Sequence, residues 1–395
     1  MASSRGERVR PGHIQFVIGS LSMGGAESQL VLLAERLKLR GWNTEVFLVE
    51  KPGALGERLK LAGIPVRSGG YDVRDGKARK IMRLALCEMR LVWHLARSRP
   101  DVVHGFLPIS NILAALAARL AFVPLVITSK RALGRHQERE PKFRRLDRLS
   151  NALSHVITAN SVAVARDMHE RDDYDLARIV VIPNGLDFSR FDGRPSLRDD
   201  IRGKLGLSHV DIAIVMVANL IPYKGHGELI AAFARVAADN PRLRLFLIGR
   251  DDGIMPGLVA DAQRYGIQDR ISFMGERGDV PSLLQAMDIG VMASHEEGFS
   301  NALLEKLAAG LPVVATDVGG NPEALEGMPD CALVRPQDVD DLARGLQSIV
   351  ARLATSGAGS ALRQQIVRER YSVDVMVDAY EHLYTTARTG KVDGR

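Results

Sequence analysis

Residues 294–322 read SHEEGFSNALLEKLAAGLPVVATDVGGNP. The stretch starts where the apolar strand IGVMAS (289–294) ends, crosses a loop with two carboxylates and a glycine, and enters a helix at about 300–309. The strand PVVAT (312–316) follows. Strand, loop, helix and strand in this order are the repeating unit of a parallel α/β sheet. The first N–H groups of the helix, from about Phe299 to Asn301, lack intrahelical acceptors and carry the positive end of its dipole. Gly298 allows a ligand close to the backbone, so the helix start reads as a diphosphate seat, with Ser300 or Asn301 as a plain helix cap the alternative. Glu297 precedes the seat, and Glu305 lies about 7 Å up the axis from Ser300. An anion suits the helix start and a hydroxyl-rich sugar suits the carboxylates. Glu305 stands among Leu303, Leu304, Leu307 and Ala308, at the edge of a core, where a carboxylate needs a partner.

The same alternation extends in both directions. HIQFVI (13–18), TEVFLVE (44–50), IPVRS (64–68), DVVHGF (101–106), PLVITS (124–129), HVITAN (155–160) and RIVVIP (178–183) read as strands with helices between them. PNGLDFSRFDGRPS (183–196) has no periodicity and reads as a linker. A second set begins at IAIVMVA (212–218) and continues through RLFLIG (244–249), ISFMG (271–275), the opening stretch and ALVRP (332–336). Two helical stretches close the chain, about 357–369 and 374–388. The fold class is therefore α/β, with two doubly wound parallel sheets. Such sheets bind ligands beyond the carboxyl ends of their strands, and two of them facing each other form a cleft.

The 395 residues and 46 % hydrophobic content suffice for two cores. The two cysteines, Cys87 and Cys331, lie in different halves and match neither a disulfide framework nor a metal site. Residues 1–13 are charged and polar, and no apolar run reaches the ~18 residues of a membrane span. A reducing cytoplasm is the expected setting. Residues 1–190 hold 31 Lys and Arg against 19 Asp and Glu, whereas the remainder holds 22 against 28. A positive first half suits an anionic partner or ordinary solvated helix faces. Segment 77–99 carries seven Lys and Arg with a Leu/Met/Trp face, and segment 130–148 is also basic. Both could touch an anionic membrane surface; for 77–99 the alternative is a helix whose apolar face packs into the core. No nucleic-acid motif is visible, so a nucleic-acid partner is not expected.

The spacing Glu-x7-Glu, followed by LPVVAT and GGNPE, resembles the retaining glycosyltransferases of family 4, which have the GT-B fold of two Rossmann-like domains facing a cleft. The resemblance extends over nearly the whole chain through GGAE (24–27), PNGLDFSRF (183–191), PYKGH (222–226) and GERGDVPSLLQAMDIGVMAS (275–294). It implies an acceptor-binding domain over 1–190, a nucleotide-sugar domain over 191–373 and a helix over 374–395 crossing back to the first. It also implies transfer of a sugar from a nucleoside-diphosphate sugar to a saccharide or lipid-linked saccharide, as in bacterial polysaccharide assembly. Glu297 would contact the donor sugar, Glu305 the ribose, Lys224 the diphosphate and Arg277 the nucleotide. Gly24 and Gly25 would bring the first loop close to donor phosphate or acceptor. Phe299, Asn301 and Thr316 would shape the donor pocket.

Two departures concern the cations. Many relatives carry Arg five positions before the lysine, where this chain has Asn219. Many have a histidine after the fifth strand, where this chain reads TSKRALG and offers Lys130 or Arg131 to the leaving diphosphate. His104, at the end of the fourth strand, is expected to point toward the cleft or to be structural. No Asp-x-Asp stands at a strand end, so neither a metal nor another cofactor is expected. The remaining alternatives are a sugar-nucleotide epimerase of the same fold and a non-catalytic nucleotide-sugar-binding protein.

Overall fold

The computed structural model describes residues 11–134, 141–191, 195–353 and 357–388. The chain divides into two compact units, one of residues 1–185 with 373–395 and one of residues 186–372.

The first unit runs β1 (His13–Ile18), α1 (Gly25–Leu39), β2 (Asn43–Leu48), α2 (Leu55–Leu61), β3 (Val66–Ser68), α3 (Lys77–Ser98), β4 (Val102–Phe106), α4 (Pro108–Leu120), β5 (Leu125–Lys130), α5 (Pro141–Leu153), β6 (Val156–Ala159), α6 (Val162–Asp172) and β7 (Ile179–Val181). Its parallel sheet has the order β3-β2-β1-β4-β5-β6-β7. In register, Phe16 lies between Val46 and His104 at the sheet centre. Five of the six β1 residues and all of β4 and β5 are buried, which is why these strands read as continuous apolar runs.

The second unit runs α7 (Pro195–Lys204), β8 (Ile212–Val217), α8 (His226–Asp239), β9 (Leu243–Ile248), α9 (Met255–Arg264), β10 (Ile271–Phe273), α10 (Val280–Gln285), β11 (Ile289–Met292), α11 (Asn301–Ala308), β12 (Val313–Thr316), α12 (Asn321–Leu325), β13 (Ala332–Val334), α13 (Val339–Arg352) and α14 (Gly357–Tyr371). Its sheet order is β10-β9-β8-β11-β12-β13, again parallel throughout. The last helix, α15 (Val373–Arg388), belongs to the first unit and contributes Met376, Val377, Tyr380 and Tyr384 to its core.

The first crossing between units falls at Gly185 and Leu186, ahead of the 190/191 boundary drawn from the sequence. Gln29 of α1 both donates to and accepts from the Gly185 backbone at 2.9 Å, which ties that residue to the first unit. Within the segment read as a linker, the described residues 183–191 carry more structure than the composition implies, and residues 192–194 lie outside the described residues. Phe188 and Phe191 sit in a 3₁₀ turn and are buried in the second unit's core. Helix α7 is anchored by Arg198 and Arg202, which both bond Asp288 at the foot of β11.

Candidate active site

In the second unit the loops after β8, β11 and β12 leave adjacent strands at their carboxyl ends. The loop after β8 closes in a 3₁₀ turn, Pro222–Lys224. The backbone N–H of His295 donates to Tyr223 O at 2.7 Å and joins that turn to the loop after β11. Gly225 (φ +75°) starts α8 so close to β11 that a Cβ would lie 2.0 Å from Ala293 O. Gly319 (φ +53°) presses the loop after β12 onto the Glu297 loop, where a Cβ would lie 1.8 Å from Glu297 O. Gly320 N–H donates to Gly298 O at 2.8 Å. Only glycine combines such a φ with so close a backbone approach.

These contacts bring Lys224 and Glu297 together. The Lys224 ammonium donates to Glu297 Oε1 at 2.6 Å, and Ser294 Oγ donates to the same oxygen at 2.7 Å. The two side chains are 18 % and 11 % exposed, so the pair is mostly withdrawn from water but remains accessible. Glu297 lies four residues ahead of α11, where Ser300 Oγ caps Leu303 N–H at 3.2 Å. The Ser300 hydroxyl is thus used by the helix, while Asn301, the first helical residue, is half-buried. Glu305 is 18 % exposed, and Arg190 approaches it to 4.0 Å. Burial pushes its carboxyl above the ordinary range, with the Arg190 charge opposing.

Several residues expected here have other duties. The Phe299 ring turns into the core and packs on Tyr371 at 5.3 Å between centroids. Thr316 is buried and donates its hydroxyl to Ser294 O at 2.6 Å, so it supports the Glu297 loop from below. Arg277 stands on an exposed loop after the edge strand β10, two strands from β8 in the sheet order, and pairs with Asp279 at 2.7 Å. Asn219 Oδ1 accepts from Arg250 N–H at 3.3 Å and fastens the loops after β8 and β9. Asp251 caps the backbone N–H groups of Gly253, Ile254 and Met255, while Asp252 pairs with Arg250.

Two buried basic groups beside this site were not read from the sequence. His226, the first residue of α8, is 1 % exposed, and burial lowers its imidazole to about 4. Lys306 has no exposed surface, and its stem passes over Gly290 of β11. Its spacing of three from Leu303 placed it on the apolar face of the helix, the signal that could have found it.

In the first unit, Gly24 caps α1 at φ −114°, an ordinary extended conformation, and Gly25 is the first helical residue. No left-handed turn is needed there, but a Cβ on Gly24 would meet Glu27 Oε2 at 2.2 Å. Burial raises Glu27, and the Arg131 charge opposes the shift. Arg131 donates to Asn184 Oδ1 and lies over the Phe106 ring at 5.4 Å. Lys130 is buried and paired with Asp147, so its charge is already neutralised. His104 does not point to a cleft. It has no exposed surface and bonds Tyr384 at 2.7 Å and Ser129 at 2.8 Å, a core position where burial drives its imidazole well below the usual value. A pocket of about 230 Å³ opens at the ends of β4 and β5, lined by Leu107, Asn111, Lys130, Arg131, Asp147 and Arg171 among others.

Residues 23–190 match the family model described as Glycosyltransferase Family 4, and residues 211–352 match that of Glycosyl transferases group 1. Two Rossmann-like parallel sheets with these domains make a glycosyltransferase of the GT-B fold. The chain belongs to glycosyltransferase family 4. It is similar to a D-inositol 3-phosphate glycosyltransferase of Geodermatophilus obscurus, at 28 % identity over 92 % of this chain and 85 % of that one. It is also similar to the UDP-Gal:alpha-D-GlcNAc-diphosphoundecaprenol alpha-1,3-galactosyltransferase of Escherichia coli, at 26 % identity over 73 % and 76 %. Among solved structures, Anabaena Alr3699/HepE in complex with UDP and glucose superposes with a TM-score of 0.84 at 23 % identity, over 95 % of this chain and 100 % of that one.

The close approach at Gly319 makes a direct prediction. Gly319→Ala adds a Cβ at positive φ against backbone, a cost above about 1 kcal/mol. The variant should unfold at lower temperature and hold the Glu297 loop poorly, read by calorimetry. A melting temperature equal to that of the unmodified chain would contradict the packing described.

Proposed function

We propose that the second unit holds a nucleoside-diphosphate sugar and that the protein transfers the sugar, with retention of anomeric configuration, to a saccharide or lipid-linked saccharide in glycoconjugate synthesis. The observation that carries this reading is the accessible Lys224–Glu297 pair beside the N-terminus of α11. A diphosphate arriving there would draw the Lys224 ammonium and meet the N–H groups at the helix start, leaving Glu297 to accept hydrogen bonds from the donor sugar. Glu305, beyond the first turn, would take the ribose hydroxyls. The bond from C1 of the sugar to the diphosphate oxygen breaks while the acceptor oxygen bonds C1 from the same face. The acceptor proton passes to the departing phosphate. Negative charge grows on that phosphate, so fixed positive groups lower the barrier.

Lys224 and the helix start supply the charge that a divalent cation would otherwise provide, and the reading therefore assigns no metal. Asp251 and Asp252 are committed to backbone caps and to Arg250. The named relatives and the UDP complex support a nucleotide-sugar donor and a lipid-linked or phosphorylated acceptor. The first-unit pocket with Arg131 and Arg171 on its wall is the reading's acceptor side. Glu297→Ala is expected to cut sugar transfer by about 100-fold or more. Turnover near that of the unmodified enzyme would remove Glu297 from the mechanism.

The same reading places the protein at the inner face of a membrane. No helix of the described residues is long and apolar enough to cross one. Helix α3 buries Cys87, Leu91, His94 and Leu95 against the sheet, yet it also exposes Met82, Leu86, Met89 and Trp93. Spacings of four, three and four residues put these on one stripe, and Trp93 is 66 % exposed. Lys77, Arg79, Arg97 and Arg99 are exposed on or beside the helix. An apolar stripe edged by cations suits an anionic lipid surface. Flotation with vesicles containing phosphatidylglycerol should carry the protein at low salt and less of it at high salt, and Trp93→Glu should weaken binding. No flotation at low salt would end the membrane assignment.

A further inference from the structure

Lys306 lies behind the donor seat. Its side chain runs back along α11 toward the helix start, as helical side chains do. Its ammonium donates to Ala302 O at 3.1 Å and contacts Met292 Sδ at 3.2 Å. The same sulfur lies 3.9 Å from Ser300 Oγ, the helix cap, so the ammonium stands directly behind the N-terminus of α11. The side chain has no exposed surface, and among the described residues no carboxylate lies within 4.0 Å of its nitrogen. Room for the stem is made by Gly290, where a Cβ would sit 2.5 Å from Lys306 Cδ.

The charges near this seat are otherwise spent. Lys224 is neutralised by Glu297 at 2.6 Å. Asn219 is neutral and bonded to Arg250 N–H. We propose that Lys306 is the reserve cation of the donor site: it takes up a proton as the nucleotide sugar binds and holds the diphosphate electrostatically through the start of α11. This rests on the donor reading given above. Lys306 is a positioning residue, since it is sealed from the ligand.

Burial pulls the Lys306 ammonium down to about 7, with Glu305 and Glu297 opposing and Lys224 reinforcing the shift. Glu305 shares its helix, Glu297 faces it from the loop after β11, and Lys224 from the turn after β8. From the elements packed on the far side, Arg363 of α14 is bonded to Gly310 O and Asp330. Asp288 at the foot of β11 is held by Arg198 and Arg202. A diphosphate in the seat adds negative charge and raises the Lys306 pKa. Affinity is then full below about 7, where the free protein already carries the proton, and falls as pH rises from there to the bound-state pKa.

Calorimetric titration with UDP-glucose, UDP-galactose, UDP-N-acetylglucosamine and GDP-mannose tests this, using the tightest binder. The diphosphate of these donors has no titration near neutral pH, and histidines of ordinary or lowered pKa are mostly neutral at pH 8. Runs at pH 8 in two buffers of different ionisation enthalpy should show uptake of roughly half a proton or more. Lys306→Met should abolish most of that uptake and flatten the pH profile of Kd. The unmodified protein also decides alone, because its Kd should be constant below pH 6.5 and weaken several-fold by pH 8.5. A flat profile, or the same uptake in Lys306→Met, overturns the role of Lys306 while leaving the donor reading intact. Failure of every donor to bind overturns the donor reading and this inference together.

Discussion

The backbone contact between Gly319 and the Glu297 loop is the constraint on which the site in the second unit depends. Glu297 has no rigid element of its own. It follows β11 by five residues and precedes α11 by four, and its position is set by what presses on it. Gly319 and Gly320 hold the loop from the β12 side, and His295 N–H holds it to the turn after β8. Thr316 adds a third support through Ser294, whose hydroxyl then reaches the carboxylate itself. A carboxylate fixed on three sides gives up little conformational freedom when a ligand arrives, as the role proposed for Glu297 on a donor sugar requires.

The electrostatics follow from the same geometry. Removing a lysine and a glutamate from water costs several kcal/mol per ion unless they meet, and Lys224 and Glu297 do meet, at 2.6 Å. Such a pair contributes little to stability. In the proposed function a diphosphate and a sugar would separate these two charges beside the helix N-terminus. The first unit treats its charges differently. Lys130 is sealed against Asp147, and His104 is enclosed by Phe16, Phe106, Tyr380 and Tyr384. Burial weakens the Arg131 charge, Tyr380 and Glu27 oppose that shift, and the guanidinium bonds Asn184 and rests on Phe106 at the wall of the pocket.

Fold and domain class were legible because continuous apolar strands alternating with helices leave few topologies open. The two parallel sheets are the result. Glu297 and Lys224 were legible through motif order, although nothing in their spacing of 73 residues showed that they meet. Burial was less legible than motif order. Thr316 and His104 lie on strands buried on both faces, and the Phe299 ring packs into the core from the loop before α11, so these three side chains turn inward. Helix α7 was missed because its burial is carried by arginines reaching Asp288, which no hydrophobic periodicity reports. Lys306 was passed over for the opposite reason: a lysine on the apolar face of a helix reads as an exception to a pattern until the glycine that accommodates it is known.

In the proposed function the second unit receives a nucleoside-diphosphate sugar at the start of α11 by opening the Lys224–Glu297 pair. A crystal structure with an intact nucleotide sugar tests it most directly. Phosphate oxygens are expected within about 3.2 Å of Lys224 Nζ and of the backbone nitrogens that open α11, with the donor sugar on Glu297. A nucleotide sugar bound elsewhere, with the Lys224–Glu297 contact still closed at 2.6 Å, would contradict it.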